Sequence, residues 1–395
     1  MASQEKNKQL YIDKEAISVL NLAQEGLLYP VTELMNEAQM KAVNTSGVYK
    51  DQSYPCPFLL SPSGRRNSEV LQKAKKGDKI ELITDGETSG SIIVDSVFSI
   101  NKQERINKIM GGDFASKRIQ DIESRIGEIC VSGKYTLTNN DIMKHKKRLA
   151  QRIATLSAKN IAGIVMSASP LHRIHEKIMR DALEECDLLV VFLLKPHKSD
   201  LIEYNLRLKC MEFLIDNYLM KERVIIIPHD DTYLYAGQNR MIMNAIVARN
   251  FGCNKLLVGE NNRGLSVYYL DNEVHSIFDS LTGMNIEVEI LPEYVYCDVC
   301  KTLVSIHTCP HGHHHHINYN AESFVEFFRL GLLPPAMLVR RQISAILLSS
   351  LFPHRFKDLD RLYYDILPSS GIIQNSGEEE FYLKLMQLYQ TTSLN

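Results

Sequence analysis

The chain has 395 residues, 45% of them hydrophobic, and its 45 Lys and Arg residues nearly balance 47 Asp and Glu residues, giving a formal net charge of −2. A length beyond roughly 250 to 300 residues exceeds what one hydrophobic core supports, so two or three domains are expected. The near-neutral charge offers no general attraction to nucleic acid, and no apolar run approaches the roughly 18 residues that span a bilayer, so we predict neither a nucleic-acid partner nor a membrane partner.

The first part of the chain predicts a mostly β domain. Short strand-like stretches at Lys79–Leu82, Ser91–Val97 and Ile126–Val131 alternate with turn residues and short helical pieces. This spacing is typical of short strands joined by turns. We assign residues 1–150 to an amino-terminal domain of mixed β topology.

The pattern then changes to apolar strands that alternate with helices. In chain order, the predicted strands and helices are Ile161–Met166, Leu171–Glu185, Leu188–Leu193, Ile202–Tyr218, Val224–Ile227, Arg240–Asn250 and Leu256–Val258. Apolar strands at this interval, with helices between them, imply a parallel, doubly wound α/β sheet. Ligands of such sheets bind at the carboxyl ends of the strands. We assign residues 151–290 to this domain and residues 291–395 to a smaller carboxy-terminal part.

The carboxyl end of the first of these strands is a candidate active site. Pro170 stands where proline is favoured, at the opening of a helix. His172 and His175 then share one helix face, beside the unpaired backbone N–H groups of the helix start. This combination suits a phosphate group and would stabilise the charge that builds on an α-phosphorus during nucleotidyl transfer. The alternative is that both histidines are packing residues or a chance metal-binding pair.

A cluster of cysteines and histidines in the carboxy-terminal part predicts a metal site. Cys297 and Cys300 form a C-x2-C pair, and Cys309 follows after eight more residues. Three thiolates and one imidazole form a closed tetrahedral zinc site, which is a structural arrangement. The imidazoles within reach are those of His311, His313, His314, His315 and His316. The alternative is three small buried hydrophobic residues followed by a solvated histidine tract.

The remaining cysteines and the amino terminus favour a reducing compartment. Five cysteines lie among core-like neighbours, namely Cys56, Cys130, Cys186, Cys210 and Cys253. With three of the eight cysteines bunched as metal ligands, the set does not resemble a disulfide framework. The amino-terminal MASQEKNKQ is polar and lacks the apolar core of a signal peptide. We therefore predict a cytoplasmic protein.

Several of these motifs resemble the ATP sulfurylase (sulfate adenylyltransferase) family, and the similarity runs over most of the chain. Pro170–Glu176 resembles the family's P-L-H-R-x-H-E helix start, and Tyr235–Gly237 resembles the Y-A-G of its nucleotide loop. The other segments that follow the family pattern are Gly26–Met35, Arg249–Cys253, Val258–Gly259, Tyr296–Cys300, Thr308–Gly312 and Gly331–Pro335. The resemblance implies an amino-terminal PUA-like domain, a Rossmann-like nucleotidyltransferase domain of the HxGH type and a smaller carboxy-terminal part that carries zinc.

The resemblance also implies an activity and its residues. The family joins ATP and sulfate into adenosine 5'-phosphosulfate and pyrophosphate, with Mg²⁺ on the nucleotide. It implies that His172 and His175 are catalytic, and that His313 completes a structural Zn²⁺ site with the three cysteines. The implied nucleotide-binding residues are Ser169, Pro170, His172, His175, Ala236, Gly237, Val258 and Gly259. The expected partners are ATP, a small anionic acceptor that is sulfate or an unknown compound, and further copies of the chain in a homo-oligomer.

The chain departs from the family pattern at positions that hold substrate. Ala168 stands where the family's Q-x-R-N-P has the arginine that holds sulfate, and Leu234 stands where R-Y-A-G has an arginine. In the family's G-R-D-H-A-G segment, the arginine, aspartate and histidine are replaced by Glu260, Asn261 and Asn262. Each lost charge-assisted hydrogen bond is worth roughly 1.5 to 3 kcal/mol, so sulfate binding is expected to weaken by one or more decades.

Three functions remain open on the sequence. The first is an adenylyltransferase of this family that is slow with sulfate or uses another acceptor. The second is a catalytically inert relative that binds a nucleotide or a protein and acts as a regulatory or structural protein. In the third, the histidine tract from His311 to His316 handles metal ions.

Overall fold

The computed structural model describes residues 8–113, 118–139, 141–261, 265, 267–270, 273–367 and 377–388. The chain forms two compact units. The first unit consists of Met1–Val165, Cys186–Phe192 and Ile227–Leu291, and the second of Met166–Glu185, Leu193–Ile226 and Pro292–Asn395. Within the described ranges, no helix combines the length and the apolar character that crossing a membrane requires.

A five-stranded mixed sheet forms the amino-terminal part of the first unit. The strands of this part are β1 (Lys8–Tyr11), β2 (Val48–Tyr49), β3 (Gln52–Ser53), β4 (Leu60–Pro62), β5 (Lys79–Thr84), β6 (Glu87–Ser99) and β7 (Ile126–Leu137). Of these, β2 and β3 form a separate antiparallel pair outside the five-stranded sheet. The helices are α1 (Lys14–Gln24), α2 (Glu37–Ser46), α3 (Arg65–Lys73), α4 (Lys102–Met110) and α5 (Ile119–Arg125). The sheet order is β1-β5-β6-β7-β4, in which β1 is parallel to β5 and the other pairs are antiparallel. The predicted sheet of mixed topology is confirmed, but five helices accompany it, so this part is not mostly β.

Three strands of this sheet, β5, β6 and β7, run further than the sequence pattern predicts, and β7 does so most at one end. The pattern ends a strand at Val131, because Ser132 and Gly133 resemble a turn, yet β7 continues to Leu137. A Cβ atom on Gly133 would lie 2.0 Å from the carbonyl oxygen of Ile93 on β6. Glycine is therefore present because the two backbones approach closely, and it does not end the strand.

A second sheet has the order of a doubly wound α/β domain. Its strands are β8 (Ile161–Met166), β9 (Leu188–Pro196), β10 (Val224–Asp231), β11 (Lys255–Gly259) and β14 (Glu287–Leu291). The helices that accompany them are α6 (Asp141–Leu156), α7 (Arg173–Glu185), α8 (Tyr204–Tyr218) and α9 (Arg240–Phe251). A hairpin of β12 (Tyr268–Leu270) and β13 (Glu273–His275) precedes β14. The order is β10-β9-β8-β11-β14, and β11 is parallel to both neighbours. The chain therefore builds outward from β8 in one direction and then continues on the other side of it. Such a switch point, here between β8 and β11, is where α/β sheets bind ligands at the carboxyl ends of their strands.

The apolar runs of this domain lie in the core, as the pattern predicts. All side chains from Leu188 to Leu193 on β9 are at most 1% exposed. Every residue from Met241 to Ala248 on α9 is buried, so that helix is covered on all sides. The order and type of these elements are confirmed, and their ends differ from the predicted ends by a few residues.

The carboxy-terminal part of the second unit is a small sheet followed by helices. Its elements are β15 (Tyr294–Cys297), β16 (Thr302–Ser305), β17 (His316–Ile317), α10 (Ala321–Arg329), α11 (Arg341–Leu351), α12 (Leu359–Ile366) and α13 (Glu378–Leu388). The sheet order is β16-β15-β17, and both pairs are antiparallel. Helix α11 buries its middle turns from Ile343 to Leu348 and packs against α8 and α13.

Candidate functional site

His172 and His175 form a stacked pair at the start of α7 in the second unit. Their ring centroids lie 3.7 Å apart with an interplanar angle of 30°. The helix begins at Arg173, two residues later than predicted, and His172 precedes it. The backbone N–H of His172 donates to Nδ1 of His175 at 3.1 Å, so the second histidine caps the helix start with its own ring. The two imidazoles predicted to share a face are therefore in direct contact.

Both rings are neutral near pH 7. Burial, with the neighbouring His175 as a second cause, lowers the pKa of His172 well below its usual value. Burial also lowers the pKa of His175 to about 4. Because Nδ1 of His175 accepts a hydrogen bond, its proton lies on Nε2. The pair can thus offer N–H donors to an anion without carrying a charge beforehand.

An aromatic group covers His172 on one side. The centroid of Tyr319 lies 5.3 Å from that of His172, and Phe324 on α10 lies 5.7 Å away in an edge-on arrangement. The Tyr319 hydroxyl donates to the carbonyl oxygen of Met337 at 2.6 Å. Nδ1 of His172 is buried and has no hydrogen-bond partner among the described residues. A buried polar atom of this kind usually acquires a partner when a ligand or water is bound.

Glu176 anchors the same helix turn through three arginines. It is 6% exposed and receives two hydrogen bonds from Arg340, at 2.6 and 2.5 Å. Arg180 donates to it at 3.1 Å and Arg173 at 3.3 Å. Burial alone raises the pKa of Glu176, but the hydrogen bonds and charges of these arginines outweigh burial and lower it. Arg173 is therefore engaged in this network, which positions the histidine pair.

The loop between β8 and α7 contains the position that holds sulfate in the family pattern. Ala168 is 0% exposed and has a φ of +47°, so its methyl group points into packed protein. Arg207 on α8 is 2% exposed and donates to the carbonyl oxygen of Ser167 at 2.8 Å. The hydroxyl of Ser169 donates to Asp200 at 3.1 Å. The loop thus has a buried, neutral residue at position 168, and the next residue, Ser169, contacts the carboxylate of Asp200 from the connection between β9 and α8.

The predicted nucleotide loop lies in the first unit, where it packs on α4. Ala236 is 2% exposed and belongs to a hydrophobic cluster with Ile109 and Met110. Gly237 has a φ of +61°, and a Cβ atom there would lie 2.0 Å from the carbonyl oxygen of Met110. The next N–H, from Gln238, donates to the same oxygen at 3.1 Å. The side chain of Ala236 is therefore part of the core, and any nucleotide contact here is made by backbone atoms.

The other predicted residues of the first unit lie at the end of β11. Val258 is 5% exposed and Gly259 is the last residue of the strand, at the edge where ligands of α/β sheets bind. Leu234 is buried, so no cation replaces the family arginine there. Asn262 lies outside the described residues.

The sequence pattern did not identify the buried His229 as a candidate site residue. Its ring lies 4.5 Å from that of Tyr235, and its Nε2 lies 3.4 Å from Oδ1 of Asn244.

Three cysteines and one histidine of the second unit form a group that fits a metal ion. Nδ1 of His311 lies 3.5 Å from Sγ of Cys297, 3.3 Å from Sγ of Cys300 and 3.6 Å from Sγ of Cys309. All four ligand atoms lie within 4.8 Å of one another. A tetrahedral site with Zn–S bonds of about 2.3 Å and a Zn–N bond of about 2.05 Å has S···N edges of about 3.6 Å. The geometry and the donor set therefore suit a tetrahedral thiolate-binding metal.

The histidine in this group is His311 and not His313, the residue that the family spacing favours. His313 lies in a short helical turn, where its ring makes an edge-on contact with His316 at 5.7 Å. His315 is held by Asp298, with its Nδ1 2.8 Å from a carboxylate oxygen. The nearest of the five imidazoles in sequence thus lies against the thiols, and spacing alone does not distinguish five closely spaced candidates.

Comparison with known proteins supports the arrangement of the domains. The ATP-sulfurylase family profile matches residues 140–350, and the profile of a PUA-like domain matches residues 1–140. The sulfate adenylyltransferase of Synechococcus sp. (strain JA-3-3Ab) is 27% identical over 358 residues, covering 87% of this chain and 89% of that protein. The sulfate adenylyltransferase of Carboxydothermus hydrogenoformans is 28% identical over 307 residues, covering 73% of this chain and 79% of that protein.

A solved structure gives the same result for the fold. The hexameric APS kinase from Thiobacillus denitrificans superimposes with a TM-score of 0.61 at 17% sequence identity. The match covers 87% of this chain, and the chain spans 62% of the length of that protein. At this identity the likeness shows the fold alone. The PUA-like domain followed by a nucleotide-binding α/β domain is thereby confirmed.

Proposed function

From the premise that this chain belongs to the ATP-sulfurylase family, we propose that it is an adenylyltransferase that uses ATP and is slow with sulfate. The observation that carries the proposal is the stacked pair of His172 and His175 at the start of α7. The pair retains the family's two histidines. The backbone N–H groups of His172 and Arg173 already donate to Nδ1 of His175 and to the carbonyl oxygen of Leu338, so the proposal relies on the ring N–H groups and the helix dipole. In this proposal the HxGH-type chemistry persists while the acceptor site has changed.

The proposed mechanism rests on hydrogen bonds that strengthen as negative charge develops. Nε2–H of His175 and a ring N–H of His172 donate to the phosphate oxygens when the α-phosphorus is attacked. The rings begin neutral, so the substrate is held without a strong ground-state ion pair. An interaction made mainly in the transition state raises the rate constant more than it raises ATP affinity. Mg²⁺, which ATP sulfurylases use, would enter with ATP and offset charge on the phosphates.

We propose the same nucleotide-binding residues that the family pattern implies. In the second unit these are Ser169, Pro170, His172 and His175, and in the first unit Ala236, Gly237, Val258 and Gly259. Support comes from the switch point between β8 and β11, where α/β sheets bind their ligands.

The acceptor is proposed to be a small anion bound weakly, or a different compound. Ala168 and Leu234 are buried and neutral. Ser169, the residue after Ala168, donates a hydrogen bond to the carboxylate of Asp200. A carboxylate beside an incoming sulfate repels it, and no arginine side chain is available from positions 168 and 234. These features also favour the second candidate, a catalytically inert relative that binds a nucleotide or a protein.

Calorimetric titration tests the nucleotide binding that the enzyme proposal requires. The full chain is titrated with ATP, with a non-hydrolysable ATP analogue and with adenosine 5'-phosphosulfate. The enzyme proposal expects binding of ATP and of the phosphosulfate product, because the product carries its sulfate on the nucleotide and does not depend on a separate anion site. Binding of none of the three compounds would remove the enzyme proposal and leave the protein-binding alternative.

We further propose that Cys297, Cys300, Cys309 and His311 hold a structural Zn²⁺. A site with three thiolates and an imidazole leaves no open position for a substrate, and it ties β15 to the loop after β16. Histidine tract residues outside this group would bind metal more weakly. The third candidate, a metal-handling protein, therefore has no specific geometric support among the described residues.

The chain is also proposed to form a homo-oligomer and to act in sulfur metabolism in the cytoplasm. In the second unit, Leu330, Leu332 and Met337 are 60%, 49% and 40% exposed. Apolar side chains that are this exposed and this close in sequence are typical of protein contact surfaces. Light scattering at several concentrations measures the mass, and a monomer at every concentration would contradict this part of the proposal.

A further inference from the structure

A cavity of about 400 Å³ lies in the PUA-like part of the first unit. It is lined by β4, by the beginning of α1 and by residues of α4 and α5. Sites for small organic ligands fall in the range of roughly 300 to 1,000 Å³. Neither the adenylyl transfer nor the metal site uses the residues that line it, so the cavity needs its own explanation.

One cation in its wall has no counter-ion. Arg105 on α4 is 7% exposed. Its Nη2 donates to the carbonyl oxygen of Leu59 at 2.7 Å, and its Nη1 donates to the hydroxyl of Ser61. Its Nε has no hydrogen-bond partner, and no carboxylate forms an ion pair with Arg105, among the residues that the structure describes. A buried charge costs several kcal/mol unless an opposite charge offsets it, so this arginine lacks the partner that buried arginines normally have.

The other charged groups around the cavity are already paired. Nε and Nη2 of Arg125 each lie 2.5 Å from a carboxylate oxygen of Asp13. Asp85 pairs with Lys14 at 2.8 Å. Arg125 also pairs with Glu15. The two aspartates and two arginines of the lining carry no net charge, but Arg105 is the one whose charge contacts no carboxylate among the described residues. A single carboxylate on a ligand would pair with Arg105, whereas a second negative charge would meet no further unpaired cation among the described lining residues.

The rest of the lining is mainly apolar. Ile12, Leu60, Ile122 and Ile126 contribute hydrocarbon walls, and all are at most 7% exposed. Tyr233 adds an aromatic ring; burial raises the pKa of its hydroxyl, although nearby arginines oppose that rise, so the hydroxyl stays protonated near pH 7. An inorganic anion would fill only a small part of this volume and would leave the apolar walls uncovered. The lining instead matches a ligand with an apolar body and one polar end.

We propose that this cavity binds a small organic monoanion, whose carboxylate pairs with Arg105 and whose apolar body lies against Leu60, Ile122, Ile126 and the ring of Tyr233. The competing explanation is that Arg105 only anchors β4 through Leu59 and Ser61. In that case the charge of Arg105 would not contribute to ligand binding, and the cavity would show no preference between a carboxylate and a neutral amide of the same shape.

The test uses the unaltered full chain and matched probes. Saturation-transfer difference NMR is recorded with benzoate and hexanoate, with benzamide and hexanamide as neutral isosteres, and with inorganic sulfate. We expect signals from at least one of the two carboxylates and none from the amides. Inorganic sulfate, added only as a competitor at equal concentration, should leave the carboxylate signal unchanged. No response to either carboxylate, or equal response to acid and amide, would overturn the proposal without any variant being made.

Two variants then locate the binding. Arg105→Met removes the charge at similar volume and is expected to weaken carboxylate binding at least about tenfold, because a charge-assisted hydrogen bond is lost. Ser61→Ala removes one anchoring contact of Arg105 but keeps its charge, and is expected to retain binding within several-fold. Circular dichroism and melting temperature show that each variant is folded. Undiminished binding by Arg105→Met, or equal losses in both variants, would contradict the assignment of the charge as the recognition element.

Discussion

The pKa of His175 measures how strongly the folded protein excludes a charged ring at the start of α7. Burial lowers the pKa of this ring from the usual 6.5 to about 4. At about 1.36 kcal/mol per pH unit, the folded protein resists its protonation by roughly 3 kcal/mol. We therefore expect the ring signal of His175, assigned by its absence in His175→Asn, to titrate near pH 4 in a histidine-labelled NMR sample.

The sign of the stability effect follows from the same shift. Below the unfolded pKa of 6.5 the unfolded chain binds a proton that the folded chain excludes, so stability contributed by the neutral ring falls as the pH decreases from 6.5 toward about 4. Between pH 7 and pH 5 this one group accounts for about 2 kcal/mol. His172 and His229 add losses of the same sign, because their pKa values are lowered too, so the contribution of His175 is isolated by a variant.

The assay compares parent and His175→Asn at both pH values. Asparagine supplies a side-chain oxygen that can still accept the N–H of His172, but it does not titrate. The parent should lose more stability than the variant on going to pH 5, measured by urea unfolding. Equal losses in the two proteins, or a His175 signal that titrates between pH 6 and 7, would show that the ring is not buried as the structure places it.

Three other changes have expected outcomes. Glu176→Gln replaces the buried carboxylate that accepts hydrogen bonds from Arg340, Arg173 and Arg180 and should cost about 1.5 to 3 kcal/mol, whereas the exposed control Glu326→Gln should change the melting temperature little. Purified protein should contain about one tightly held Zn²⁺ per chain by elemental analysis, and equal zinc in a Cys297→Ser/Cys300→Ser variant would contradict the site. Gly237→Ala should lower the melting temperature far more than Gly47→Ala, because both glycines have positive φ but only Gly237 would place a Cβ against Met110.

Much of the fold is predictable because strands that are buried on both faces are continuous runs of apolar residues. The strands β8 and β9 are continuous apolar runs, and the order of strands and helices follows from their spacing. The start of α7 was harder to predict, because the N–H of His172 is satisfied by a ring three residues away and not by the backbone. Similarly, Gly133 resembles a turn residue but lies inside a strand, since its partner backbone is too close for a side chain.

The candidate site is predictable in its residue types but not in its contacts. The departures at Ala168 and Leu234 can be read from the sequence, whereas their complete burial cannot. Ala236 follows the family's nucleotide loop, yet its methyl group lies in a hydrophobic cluster. Among the histidines after Cys309, the structure groups His311 with the three thiols, and the spacing does not contain that information. The domain boundaries at 150 and 290, the nucleotide contacts and the cytoplasmic location stay predictions.

The central claim is that the histidine pair at the start of α7 serves adenylyl transfer. The reverse reaction tests it most directly, because adenosine 5'-phosphosulfate and pyrophosphate form ATP without a separate sulfate site. Single-turnover ATP formation is measured for the parent, His172→Ala and His175→Ala, with nucleotide affinity and melting temperature taken on the same preparations. We expect the parent to form ATP, and both variants to bind nucleotide within several-fold of the parent but to lose most of the rate. An unchanged rate in folded His175→Ala, or no turnover by the parent despite nucleotide binding, would contradict the claim.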